Sequence, residues 1–142
     1  MKISENLPQF NDGIALCITT GSHEADFYLA AQGMIEKIDT FTVEKTDPAI
    51  PAGFVVAESG GRKHLKKMRQ ADFLETFKEH LAIILKKQPI ALAYLFTPAE
   101  VAKELVQTLP AALQKNLRVY EGNFHNEHPF KLLEKIKTET HF

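Results

Sequence analysis

Pro89-Ile90-Ala91-Leu92-Ala93-Tyr94-Leu95-Phe96-Thr97-Pro98-Ala99-Glu100 holds a proline stop, an unbroken apolar run and a helix start, in that order. A run that is apolar at successive positions, not alternate ones, predicts a short strand from Ile90 to Phe96 buried on both faces. That is the environment in the middle of a sheet with parallel neighbours. Thr97 supplies a hydroxyl for an N-cap, Pro98 suits the first helical position and Glu100 completes a capping box, so a helix to about Gln107 follows. Upstream, Phe73, Phe77, Leu81, Ile84 and Leu85 recur at three- and four-residue steps across Asp72 to Lys87, the pattern of an amphipathic helix that Pro89 ends.

Working outward, Gly13 to Thr20 (GIALCITT) is apolar and β-branched and is closed by the turn-like Gly21-Ser22-His23, which predicts a buried first strand. Asp26 to Ala31 reads as a second strand, Gln32-Gly33 as a tight reversal, and Met34 to Val43 as a longer third strand, together an antiparallel meander. Pro48, Pro51, Gly53, Gly60 and Gly61 then break all periodicity, and residues 47–64 are expected to form a long mobile loop. Leu117 to Glu121 fits a last short strand and Pro129 to Lys137 a closing helix. The order β-β-β-loop-α-β-α-β-α, with hairpins first and crossovers after, predicts an α/β fold. It has a mixed five-stranded sheet with helices on its faces, the ribonuclease-H-like layout, as one domain over 1–142.

Composition agrees with a single globular unit. The chain has 142 residues, 44% hydrophobic and 25% charged, enough apolar material for a core and unlike a disordered segment. A lone cysteine, Cys17, allows neither an internal disulfide nor a cysteine metal cage. MKISENLPQF has no apolar signal core, and no apolar run approaches the ~18 residues of a membrane span, so residence in the cytoplasm is expected. With 17 basic and 18 acidic side chains, indiscriminate coating of nucleic acid or anionic membrane is not expected.

The charge is nevertheless uneven. Residues 60–69 carry five of the 17 basic side chains (Arg62, Lys63, Lys66, Lys67 and Arg69) and no acid, leaving 12 basic against 18 acidic in the remainder. Gly60 and Gly61 just ahead of them let the backbone approach a ligand closely, and their amides at a helix start suit an anion. A phosphate backbone is the natural partner, with Arg62, Lys63, His64, Lys66, Lys67 and Arg69 as its contacts.

Ser59-Gly60-Gly61-Arg62-Lys63-His64-Leu65 leading into a basic helix, together with the order of elements, resembles the middle domain of archaeal and eukaryotic class-1 peptide-chain release factors. Phe96 to Glu100 and Leu105 to Leu113 are similar to their bacterial relatives, host-attachment-protein-like members included. The resemblance spans about residues 13 to 137 and implies a ribosome or tRNA partner reached through the basic loop. In that family the loop carries Gly-Gly-Gln, whose glutamine helps place a water against the peptidyl-tRNA ester. Here Gly60, Gly61 and Arg62 occupy the three positions. A guanidinium binds phosphate or an oxyanion but is always protonated and has no acceptor with which to orient water, so the hydrolytic residue is absent from the pattern. The 142 residues leave no room for the family's codon-reading domain, so stop-codon recognition by the same means is not expected.

Other clusters carry less. A two-metal nuclease needs a carboxylate on the first strand, and Gly13 to Thr20 has none. His125-Asn126-Glu127-His128 has a spacing that a helix could turn into a metal site, but Pro129 breaks it and a cap for the last helix is expected instead. Ser22-His23-Glu24 holds the residue types of a hydrolase triad, yet neighbours in sequence rarely face one another, and it reads as a turn. His80 reads as a boundary histidine and Cys17 as a small core residue. No cofactor or metal is expected. The alternative reading is a scaffold or protein-interaction module that binds no RNA and pairs, as a homodimer or with another protein, through an edge strand or exposed Phe residues.

Overall fold

The computed structural model describes the backbone of residues 1–43 and 59–140, and the side chains in those ranges except 59–70 and 140. Among these residues the order is β1 (Ala15–Thr20), β2 (Glu24–Ala31), β3 (Met34–Thr42), α1 (Ser59–Lys87), β4 (Leu92–Thr97), α2 (Ala99–Thr108), α3 (Ala111–Gln114), β5 (Leu117–Glu121) and α4 (Pro129–Thr140). The strands lie side by side as β3-β2-β1-β4-β5. The first three are an antiparallel meander, and β4 runs parallel to both β1 and β5, which is why its apolar run needs no polar alternation. The mixed five-stranded α/β fold expected from the sequence is the fold observed.

The meander owes its tightness to Gln32 and Gly33, both in the left-handed region at φ 51° and 74°, as a two-residue type I′ loop requires. Strand alternation then sorts the side chains into two cores. Leu16, Ile18, Phe27 and Leu95 face α1 and α2, where Phe73, Phe77, Leu81, Ile84 and Leu105 are buried against them. Cys17, Tyr28, Tyr94 and Phe96 face the other way, onto Leu132, Leu133 and Ile136 of α4 and Ile3 and Leu7 of the N-terminal segment. Cys17 is the core residue expected, and burial pushes its thiol up to about 12. His80 is the boundary residue expected: its Nδ1 lies 2.6 Å from Asp39 Oδ2 and its ring 4.8 Å from that of Phe41, tying α1 to β3.

Three local expectations are corrected. Helix α1 begins at Ser59, thirteen residues before Asp72, so Gly60, Gly61 and the following residues to 64 lie in its first turns and not in a loop; the rest of the expected loop, 47–58, lies outside the described residues. The helix-forming residues after Gly61 extend α1 without apolar periodicity, and glycine costs least in a first turn, whose amides have no intrahelical acceptor in any case. Thr97 does not cap α2: Pro98 holds the N-cap position with no side-chain cap, because the Thr97 hydroxyl is buried against Thr20 Oγ1 at 2.6 Å. The short helix α3 had no counterpart in the periodicity.

Candidate functional site

The carboxyl ends of β1, β4 and β5 define one pole of the molecule, and α1, antiparallel to β4, starts there. Phe73 is the first of the described α1 side chains to be buried, and its ring lies 5.6 Å from Phe41, next to the last residue of β3. Ahead of Phe73 the helix continues for fourteen residues from Ser59, about 21 Å at 1.5 Å per residue. All eight sequence-predicted site residues, Gly60, Gly61, Arg62, Lys63, His64, Lys66, Lys67 and Arg69, fall on this stretch. At about 100° per residue, positions 62, 63, 66, 67 and 69 occupy an arc of about 160°. The same arc holds positions 73, 77, 81 and 84, so one stripe of the α1 sequence changes from basic to apolar along the helix.

The pole also carries a polar cluster that sequence reasoning did not assemble. Ser22 and His23 form the β1–β2 hairpin tip, closed by Gly21 N donating to Glu24 O at 2.9 Å, so the turn expected there is present. Its side chains nevertheless meet: Ser22 Oγ lies 2.9 Å from His23 Nδ1, and His23 Nε2 lies 3.3 Å from Glu24 Oε2. Glu24 Oε1 is 3.9 Å from His125 Nε2, and His125 Nδ1 is 3.8 Å from Asp26 Oδ2. Asp26, 7% exposed, sits in register between Thr19 and Thr40; its Oδ1 accepts from Thr40 Oγ1 at 2.5 Å, and Lys37 Nζ lies 3.5 Å from Oδ2. The Thr40 hydroxyl and the Lys37 ammonium thus satisfy a buried carboxylate, a requirement that burial imposes, while His125 Nδ1 is buried beside it without a hydrogen bond among the described residues.

A recess of about 480 Å³ opens beside this cluster, with Thr20, His23, Glu24, Pro98, Asn123 and His125 in its wall. His125 and His128 part company: His125 docks on β2, while His128 Nδ1 accepts from Phe130 N at 3.1 Å and caps α4 as expected. Among the described residues no group of three or more His, Cys, Asp or Glu is placed to hold a metal ion, and β1 carries no carboxylate. The signal for the cluster was faint in the sequence. His125 and Asp26 are about a hundred positions apart, and only the alternation that puts Glu24 and Asp26 on the α4 face of β2 could have hinted at it. Among the described residues no helix is long and apolar enough to cross a membrane.

No family model matches the chain, and no curated protein matches it. Solved structures do. The crystal structure of the archaeal translation termination factor aRF1 is similar over 92% of this chain, at 13% identity and a TM-score of 0.51. A structure of ribosome-bound archaeal Pelota with ABCE1 is similar over 87% of it, at 11% identity and a TM-score of 0.51. The chain spans 39% and 31% of the lengths of those two proteins. At these identities the likeness is one of fold, and the fold is release-factor-like.

Proposed function

We propose that this chain is a translation-factor-like domain of the cytoplasm that associates with the ribosome or tRNA through the start of α1, with Arg62, Lys63, His64, Lys66, Lys67 and Arg69 as phosphate contacts. The observation that carries the reading is the concentration of five cations and no acid in residues 60–69 of a chain that is otherwise acidic, set on the first turns of α1 in a release-factor-like fold. One support is independent of charge: Gly60 and Gly61 leave the helix start without side-chain bulk.

Ester hydrolysis does not follow from the same residues. The Arg62 guanidinium offers five donors and no acceptor, so it neutralises a phosphate or a developing oxyanion but positions no attacking water. The domain therefore binds without releasing peptide. The test is co-sedimentation with ribosomes across a salt series, comparing wild type with Lys66→Glu/Lys67→Glu. Salt-sensitive pelleting that the double variant loses supports the reading, and equal pelleting of both at low salt removes it. Peptidyl-tRNA hydrolysis measured in parallel is expected to be absent in wild type and to appear, slowly, in Arg62→Gln.

A further inference from the structure

The opposite pole, where β4 and β5 begin, carries a groove of about 790 Å³ between the N-terminal segment, the two strand starts and the last turns of α4. Leu7, Phe10, Leu92, Tyr94 and Ile136 make it largely apolar, with Phe10 and Tyr94 packed edge to face at 6.0 Å. Its volume is that of a pocket able to hold a large side chain and its neighbours. Lys115 and Arg118 stand on its rim, and Glu5 is the one acid among the described residues that line it. Lys137 also lines it, with its ammonium donating to Asn6 O at 2.6 Å.

Arg118 belongs to β5, the end of the sheet. Strand β5 pairs with β4 alone, and among the described residues no backbone hydrogen bond reaches its outer side. Val119, at the middle of that edge, is 37% exposed. Unpaired N–H and C=O groups along an edge are a template for another strand. A second copy of this chain is a poor occupant, because two β5 strands paired antiparallel about Val119 would set Leu117 against Glu121 twice. An extended segment with carboxylates fits better, since the rim is cationic.

We propose that the β5 edge and the adjoining groove form a docking site for an extended acidic peptide segment of another protein. Its backbone adds a sixth strand beside β5, an apolar side chain enters the groove over Leu92 and Tyr94, and its carboxylates meet Lys115 and Arg118. The proposal does not rest on RNA binding, for among the described residues none of α1 lines the groove. One molecule then holds RNA at one pole and a protein segment at the other.

The test is a selection of random twelve-residue displayed peptides on the full chain, followed by titration of the enriched peptide into isotope-labelled protein. Enrichment of sequences that alternate apolar and acidic residues, with amide shifts concentrated in Leu117–Glu121 and Tyr94, is the expected result. Lys115→Glu/Arg118→Glu, both exposed positions, should weaken that peptide at least about tenfold without changing the thermal midpoint materially. No enrichment, enrichment of basic peptides, shifts confined to the other pole, or equal affinity for the double variant would each overturn the proposal. So would preferential binding of a single-stranded RNA oligomer at these same residues.

Discussion

Reversing Lys66 and Lys67 gives the most quantitative test of the RNA reading. If all five cations on the α1 arc each neutralise one phosphate, the logarithm of the binding constant falls with the logarithm of salt at a slope of about −4.5 on a duplex with the coefficient of B-DNA, or about −3.5 on a single strand. Between 50 and 200 mM salt the duplex value corresponds to a loss of about 500-fold. Lys66→Glu/Lys67→Glu leaves three contacts and a slope of about −2.7, or a loss of about 40-fold over the same range. The two reversed positions lie a full turn or more ahead of Phe73, and a thermal melt of the variant checks that the fold is intact. Fluorescence anisotropy with a labelled RNA hairpin, at four salt concentrations, reads both slopes. A slope of the same size in wild type and variant would refute the reasoning, because it would place the phosphate contacts elsewhere on the surface.

Other expectations concern the body of the domain. Thr20 and Thr97 share one buried hydrogen bond, so Thr97→Val alone should cost about 1–3 kcal/mol by orphaning Thr20, while the double change to Val should cost markedly less; urea melts of the cycle measure this. Phe77→Ala, at a fully buried position against Phe27 and Phe73, should destabilise by about 3–5 kcal/mol in the same assay. Cys17, whose thiol burial pushes from the ordinary 9.0 up to about 12, contributes stability that is complete below pH 9 and is lost as pH rises toward 12, because the unfolded thiol ionises first. Native protein should accordingly resist a thiol reagent at pH 8, and Cys17→Ala should flatten the alkaline decline in thermal midpoint.

Much of the fold was legible because periodicity reports burial, and burial here is regular. Leu117–Glu121 is recovered residue for residue, and the unbroken run before Thr97 correctly placed β4 between two parallel neighbours. What failed lacked a local signal. The sequence of the first half of α1 shows no apolar period, so Gly60 and Gly61 read as the end of a loop when they stand in a helical turn. Thr97 was legible as a hydroxyl but not as a particular bond, since a partner 77 positions away competes with its own helix for it. The same distance in sequence hid the approach of His125 to Glu24 and Asp26, whereas the turn at Ser22-His23 and the cap at His128 are local and were readable.

The division of α1 has an evolutionary corollary. Its rear half is bolted to the sheet by Phe73, Phe77, Leu81 and Ile84, while the fourteen residues before them hold the basic cluster. Changes in the forward half can retune what is grasped without unsettling the body, and repairs to the body need not disturb the grip. Selection is thus free to work on the two ends of a single helix as if they belonged to different proteins.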